Sequence, residues 1–226
     1  MSRSMARCTS QLLATAVAIA LASQARADRY EATVSVRPVA SIAQLNERIG
    51  TDGGGLLAAT VPGGGLQLGL SYGVHNYLDI GLELAGATSG IATYDPATVT
   101  IAEQPNTGRV TRRTMAVAQL RVGATLRLGV AWVPTIYLGV GGGTRLRKAA
   151  TLVETSQGVP INETPDGLDA SSSLDLVAVT RVGLSHRLTR RWSFGAAIGA
   201  SRVVGIGTTD AATLEGGIDL AYTWYP

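Results

Sequence analysis

The sequence predicts an all-β protein, an eight-stranded antiparallel up-and-down β-barrel that follows a cleaved signal peptide. Three observations support this fold: apolar residues alternate strictly with small or polar ones, long connections alternate with short ones, and one strand face is rich in glycine. Of the 226 residues, 28 are glycine and 46% are hydrophobic, which is enough to bury a core. A chain of this length suits one domain.

The first 27 residues have the features of a secretory signal peptide. Two arginines precede an uncharged apolar stretch, residues 12–23, and Ala25-Arg26-Ala27 follows as a small-residue cleavage site. The apolar stretch is too short to cross about 30 Å of hydrocarbon as a helix. We therefore assign residues 1–27 to the signal peptide and residues 28–226 to the barrel domain.

Cleavage of this segment also changes the charge of the chain. The full sequence has a formal charge of +3, and residues 1–27 contain three arginines and no acid, so the mature chain is neutral. Cys8, the single cysteine, is lost as well, which excludes disulfides and thiolate chemistry. A neutral exported chain is a poor candidate for binding nucleic acid.

Alternation predicts eight strands in the mature chain. In Gly65–Val74 the even positions carry leucine, tyrosine and valine, whereas the odd positions carry glycine, glutamine and serine. The predicted strands are Arg29–Pro38, Gly65–Val74, Leu78–Ala85, Thr114–Leu128, Thr135–Arg147, Leu174–Leu188, Trp192–Arg202 and Leu214–Trp224. The long connections are then 39–64, 88–113, 148–173 and 203–213, and the short ones are 75–77, 129–134 and 189–191. This arrangement is typical of a barrel with one elaborated rim.

The two strand faces favour a membrane barrel over a soluble barrel of the lipocalin kind. In a soluble barrel the apolar face points inward and the polar face meets water. Here the polar face is mostly Gly, Ala, Ser and Thr, which suit a narrow lumen but would weaken a solvent-facing strand. The face of Leu, Val, Ile and Ala is then lipid-facing. We therefore predict a transmembrane barrel with both termini on the periplasmic side.

Charged residues on the predicted lumenal face balance each other. Because buried charge needs a partner, we expect them to form a paired network inside the barrel. Its members are Glu31, Arg37, Asp79, Glu83, Arg121, Arg127, Arg145, Asp175, Arg181, Arg187, Glu215 and Asp219. We favour a permanently closed plug, because eight strands leave a lumen just wide enough for side chains. The alternative is a gate whose ion pairs break to open a narrow channel.

The aromatic residues predict one membrane interface. All but Tyr94 lie near a short turn or a chain end, where membrane barrels place girdles of rings with polar edges. The predicted girdle comprises Tyr30, Tyr72, Tyr77, Trp132, Trp192, Tyr222 and Trp224, with Tyr137, Phe194 and Tyr225 nearby.

Two segments carry a resemblance to a known family. Tyr72–Gly81 and the last strand, Glu215–Tyr222, resemble the small outer-membrane β-barrel proteins of Gram-negative bacteria, the OmpA-barrel and OmpX/Ail-like group. The resemblance covers essentially the whole mature chain and implies location in the bacterial outer membrane, in contact with its lipid and lipopolysaccharide. It also implies recognition by the outer-membrane assembly machinery through a C-terminal signal, here Gly217, Leu220, Tyr222 and Trp224. That signal usually ends on an aromatic last residue, whereas this chain ends with Pro226.

The sequence shows little catalytic chemistry. His75 lies in a predicted turn, and His186 lies on the lipid-facing side while its neighbour Ser185 points to the opposite face, so no local Ser–His pair forms. Two distant histidines and the absence of clustered acids argue against a metal site. Gly139–Gly143 lacks the Lys-Ser/Thr of a phosphate-binding loop. We therefore expect a protein that is not an enzyme, with no cofactor and no metal.

The long loops are the second candidate site, because loops on a rigid scaffold commonly carry binding. We expect a monomer with a structural or surface-interaction role, whose loops bind lipopolysaccharide or an unknown extracellular partner. The alternatives are a narrow porin-like channel for ions or small solutes and, less favoured, a lipid-modifying barrel enzyme. Charged residues of these loops include Arg109, Arg112 and Arg113 in one loop and Glu154, Glu163, Asp166 and Asp169 in another.

Overall fold

A computed structural model describes residues 30–48, 56–112, 115–129, 132–205 and 209–226. The predicted signal peptide lies outside these ranges and stays a prediction. No helix in the described residues is long and apolar enough to cross a membrane. The strands are β1 (Ala32–Arg48), β2 (Leu56–His75), β3 (Leu78–Ser89), β4 (Ala92–Ile101), β5 (Gln104–Arg112), β6 (Met115–Arg127), β7 (Trp132–Arg147), β8 (Ala150–Thr155), β9 (Pro160–Glu163), β10 (Ser171–Arg187), β11 (Trp192–Gly205) and β12 (Thr209–Trp224).

Eight of these strands form a closed antiparallel barrel in the order β1-β12-β11-β10-β7-β6-β3-β2. The first and last strands close the ring, with Ala32 of β1 opposite Trp224 of β12 on one side and opposite Tyr72 of β2 on the other. The predicted eight-stranded barrel is therefore confirmed. One end of the barrel, which we call the short-turn rim, contains the tight connections and the C-terminus; the other end is the loop rim.

The wall of the barrel is apolar outside and charged inside. On β3, Leu82 and Leu84 are 48% and 55% exposed, whereas the alternating Asp79 and Glu83 are only 5% and 7% exposed. This is the reverse of a soluble barrel and is the pattern of a barrel that spans a membrane.

Seven of the eight barrel strands are longer than the sequence predicts, and the difference is largest in β1 and β2. β1 continues to Arg48 instead of ending at Pro38, and β2 begins at Leu56, so the predicted connection 39–64 is wrong. The predicted connection 203–213 is wrong for the same reason, because β11 runs to Gly205 and β12 begins at Thr209. In both places the barrel extends farther toward the loop rim than the sequence predicts.

The cause is a reversal of the two faces near the loop rim. There the inward positions are apolar and buried, as at Leu45, Val61 and Val203. The outward positions of the same strands are exposed and polar, as at Gln44 and Thr60. This stretch follows the rule of a soluble barrel, which indicates that it rises out of the apolar layer into water.

The two longest connections fold into a second sheet with the order β4-β5-β8-β9. The sequence predicts loops at 88–113 and 148–173 because proline and glycine occur in both. Pro96 instead lies where the β4–β5 register shifts between Tyr94 and Ala97, and Pro105 lies near the start of β5. Bulges and strand ends are the places where a sheet tolerates proline. We call this unit the outer sheet.

The outer sheet and the barrel share one apolar core. Val110 and Leu152 of the outer sheet are fully buried in the same cluster as Leu45 and Val61 of the barrel. The inner wall at the loop rim is therefore covered by apolar packing. Consequently the outer sheet is held against the barrel.

Candidate functional site

The structure brings all twelve predicted lumenal charges into ion pairs. They form three layers, each with as many arginines as carboxylates. The lower layer, next to the short-turn rim, contains Glu31, Asp79, Arg127 and Arg187. The central layer contains Arg37, Glu83, Arg121, Arg181, Glu215 and Asp219. The upper layer contains Arg145 and Asp175. Since each layer is neutral, each is internally compensated.

In the central layer, Glu83 forms ion pairs with arginines from three other strands. Its carboxylate lies 2.8 Å from Arg121 Nη1, 2.9 Å from Arg181 Nη1 and 3.5 Å from Arg37 Nη1. Arg181 also pairs with Glu215 at 3.2 Å, and Arg37 pairs with Asp219. The layer is thus one connected network across the lumen.

Two uncharged residues missing from the sequence-based set complete this network. Gln67 Oε1 accepts from Arg37 Nη1 at 3.1 Å and from Arg181 Nη2 at 3.0 Å, while its Nε2 donates to Glu215 at 3.0 Å. Gln119 Oε1 accepts from Arg121 Nε and Nη2 at 3.1 and 2.8 Å. Both lie on the inward side of their strands, so the alternation of residues is the signal that could have placed them in the lumen.

The lower layer joins the short-turn rim to the lumen. Glu31 lies 2.8 Å from Arg187 Nη2 and 3.4 Å from Arg127 Nη1, and Arg127 also lies 2.6 Å from Asp79. The Tyr225 hydroxyl donates to Glu31 at 3.1 Å. The C-terminal residues beyond β12 are therefore tied to the inside of the barrel.

The predicted position of Tyr137 near the aromatic girdle is wrong. Its ring points into the lumen, 9% exposed, with the Arg181 guanidinium carbon 4.8 Å from the ring centroid. The ring occupies the space above Gly123 and Gly139, where a Cβ atom would come within 2.6 Å and 2.7 Å of the Tyr137 Oη and Cζ atoms. Glycine at these two positions makes room for the large side chain.

The charge network separates two lumenal cavities. The lower cavity, of about 170 Å³, reaches from Arg37 and Glu83 to the residues of the short-turn rim. The upper cavity, of about 90 Å³, lies between Arg121 and Glu215 on one side and the apolar Leu45 and Val203 on the other. The central layer and the apolar core therefore lie between the lower cavity and the loop rim.

The residues of the predicted girdle gather at the short-turn rim. Tyr72, Tyr77, Trp132 and Trp192 are outward and between 38% and 61% exposed, and Tyr30 is 52% exposed. Neighbouring rings contact each other, with centroids 6.5 Å apart for Tyr30–Tyr72, 5.0 Å for Trp192–Tyr222 and 6.3 Å for Tyr222–Trp224.

The predicted assembly-signal residues lie on β12. Leu220, Tyr222 and Trp224 alternate on its outer face, and Gly217 lies against Arg37 and Pro38. Their recognition by the assembly machinery stays a prediction.

The predicted loop charges occupy the outer sheet and its connections. Arg109 of β5 and Glu154 of β8 form an exposed ion pair of 2.9 Å across paired strands. Asp166 accepts a hydrogen bond from the Glu103 backbone at 3.3 Å. Glu163 is in β9, Arg112 ends β5 and Asp169 precedes β10, while Arg113 lies outside the described residues.

Ser185 and His186 face opposite sides of the barrel wall. The Ser185 hydroxyl donates to the Val133 carbonyl at 3.3 Å, and the His186 ring packs on Trp132 with centroids 4.5 Å apart. The described residues contain no group of three or more His, Cys, Asp or Glu side chains placed to hold a metal ion.

No family model matches the sequence, and no curated protein matches it significantly. Some solved structures are similar to it. Neisserial surface protein A (NspA) is 10% identical, covering 84% of this chain and 96% of its own, with a TM-score of 0.49. Ail, the attachment invasion locus protein of Yersinia pestis, is 13% identical, covering 87% and 100%, with a TM-score of 0.46.

The outer membrane protease OmpT from Escherichia coli is 8% identical, covering 86% of this chain and 96% of its own, with a TM-score of 0.45. At these identities and TM-scores, the likeness says nothing about the activity, ligand or partner of this chain.

Proposed function

We propose that this chain is an integral outer-membrane β-barrel that neither catalyses a reaction nor conducts solutes, and that displays the outer sheet at the cell surface for binding. The observation that carries the proposal is the apolar core shared by the outer sheet and the barrel, in which Val61, Val110 and Leu152 have no exposed surface. A connection that only links two strands needs no such core. A binding surface benefits from it, because a rigid surface loses less conformational entropy on binding.

The distribution of aromatic and apolar residues supports this orientation. The short-turn rim carries the aromatic girdle and faces the periplasm, as short turns do in outer-membrane barrels. The loop rim, where the strand faces reverse, then lies outside the cell. The outer sheet is consequently accessible from the medium and adjacent to the lipopolysaccharide leaflet.

The exposed face of the outer sheet is rich in hydroxyl groups. Thr93, Thr111 and Thr151 lie in register on β4, β5 and β8. On the same face, Thr98 of β4 lies opposite Thr107 of β5, and their hydroxyls share a hydrogen bond of 3.1 Å. The Arg109–Glu154 pair between these rows adds no net charge. Such a face suits hydrogen bonding to the sugars of lipopolysaccharide or of another external partner.

The binding experiment uses the full mature chain with purified lipopolysaccharide as the probe. In the test variant, Thr98→Val and Thr107→Val remove two neighbouring hydroxyls at nearly constant volume. Ser171→Ala, on an exposed residue of β10 outside the outer sheet, is the matched control. We expect weaker binding of lipopolysaccharide by the double variant alone. Equal binding by all three folded proteins would overturn it.

The narrow channel remains the second candidate because of the lower cavity, which opens toward the short-turn rim. For it to conduct, the central layer and the apolar core would both have to open. Catalysis finds no support at Ser185 and His186, whose side chains lie on opposite faces of β10.

A further inference from the structure

Arg145 is a buried arginine with unused donors. Its side chain is 2% exposed, and its Nε lies 2.7 Å from Asp175 Oδ2. Its Nη1 and Nη2 are both buried and have no hydrogen-bond partner among the described residues. Leaving a charged donor buried without an acceptor costs more than leaving a neutral one, so these two atoms call for a ligand that accepts hydrogen bonds.

Arg145 lines the upper lumenal cavity. That cavity measures about 90 Å³, several times the volume that a single buried water needs. Among the described residues, the charged side chains in its lining are Arg121, Arg145 and Glu215, whereas Asp175, which pairs with Arg145, is not part of the lining. The hydroxyl groups of Ser41, Ser201 and Thr213 also line it, and hydroxyls donate hydrogen bonds to anions.

We propose that the upper cavity binds one small monovalent anion, of the size of chloride or formate, on Nη1 and Nη2 of Arg145. A guanidinium offers donors only and presents them as a fork, which matches an acceptor that takes both at once. Asp175 already contacts Nε of the Arg145 guanidinium, so Nη1 and Nη2 are the atoms left to bind a ligand. The site lies inside the barrel and is independent of binding at the outer sheet.

Anion binding to the folded state stabilises the barrel by mass action, which makes it measurable without an activity assay. The full mature chain is refolded in a neutral detergent, and its urea midpoint is compared in sodium chloride, bromide, formate and gluconate at one ionic strength. Gluconate is too large for the cavity. We expect the urea midpoint of unfolding to be higher in chloride, bromide or formate than in gluconate.

The variant Arg145→Gln/Asp175→Asn removes both charges of the upper layer together, so no unpaired charge is left behind. It is expected to lose the difference between the small anions and gluconate. Arg109→Gln/Glu154→Gln, which removes the exposed pair of the outer sheet, is the matched control and is expected to keep it. An equal midpoint in all four salts, or an unchanged salt effect in the Arg145 variant, would overturn the proposal.

A direct measurement on the unmodified chain covers the case in which the Arg145 variant does not fold. Crystals grown in bromide are expected to show an anomalous-scattering peak within hydrogen-bond distance of Arg145 Nη1 and Nη2. Density there without an anomalous signal would show water alone and would refute the anion.

Discussion

Arg181 on β10 and Glu83 on β3 meet across the lumen as a two-point ion pair. Nη1 of Arg181 donates to Oε2 of Glu83 at 2.9 Å, and Nη2 donates to Oε1 at 3.1 Å. Strands β10 and β3 are not neighbours in the barrel, because β7 and β6 lie between them. The pair therefore bridges the interior and fills the passage that a channel would need.

Glu83→Gln tests the network at its most connected residue. The substitution keeps the shape but removes the negative charge that faces Arg37, Arg121 and Arg181. Breaking one side of a buried ion network typically costs about 3–5 kcal/mol. We expect a loss of that order in the free energy of unfolding, measured by urea titration of the refolded barrel.

The exposed pair of the outer sheet provides the comparison. Glu154→Gln removes a carboxylate from the Arg109–Glu154 pair, whose side chains are more than 40% exposed. Exposed pairs contribute about 0–1 kcal/mol. If Glu83→Gln were no more harmful than Glu154→Gln, the lumenal network would not be a source of stability.

Tyr137→Phe gives a prediction of opposite sign. The Tyr137 hydroxyl is buried with no hydrogen-bond partner among the described residues, so its removal relieves a desolvation cost. The phenylalanine ring keeps the contact with Arg181. We expect unchanged or increased stability for Tyr137→Phe, and a loss of about 3–5 kcal/mol for Tyr137→Ala. A large loss with phenylalanine would show that the hydroxyl has an essential partner.

Gly141→Ala tests the close approach of β6 and β7. A Cβ atom at Gly141 would lie 2.8 Å from the Arg121 Cα and would clash with the Leu120 carbonyl oxygen. Overpacking of this kind costs roughly 1–3 kcal/mol. Gly86→Ala is the control, because nothing lies within 4 Å of its added Cβ. Equal urea midpoints for the two variants would contradict the predicted crowding.

Leu152→Ala tests the attachment of the outer sheet. Leu152 has no exposed surface, and truncating a core leucine to alanine costs about 2–5 kcal/mol. We expect faster proteolysis within β4–β5 and β8–β9, while the barrel keeps its heat-modifiable migration on gels. Val159→Ala, at a residue 52% exposed, is expected to cleave like the unmodified chain. Unchanged proteolysis of Leu152→Ala would mean that the shared core does not hold the sheet.

The sequence predicts the barrel and its lumenal residues well because alternation reports directly on which face a residue occupies. It assigned all twelve lumenal charges to the interior, but it did not predict which would meet. Partners such as Arg181 and Glu83 depend on how the ring closes and on the register between strands. Tyr137 was placed at the rim because it lies near a short turn in the sequence, whereas its position in the alternation puts its side chain inside the barrel.

The strand ends were harder to predict for a physical reason. Beyond Pro38 the alternation continues, but the apolar residues move to the inner face, as at Leu45, and the expected pattern of a lipid-facing strand disappears. The outer sheet was missed because proline and glycine usually end strands. At Pro96 a bulge accommodates the proline within β4.

Conductance of the refolded mature chain in planar bilayers tests the closed barrel most directly. Folding is first verified by the difference in gel migration between unboiled and boiled samples. We expect no discrete current steps, because the central layer and the apolar core both close the lumen. Reproducible steps from the folded, unmodified chain would contradict it and would make the lumenal arginines and carboxylates the lining of a pore.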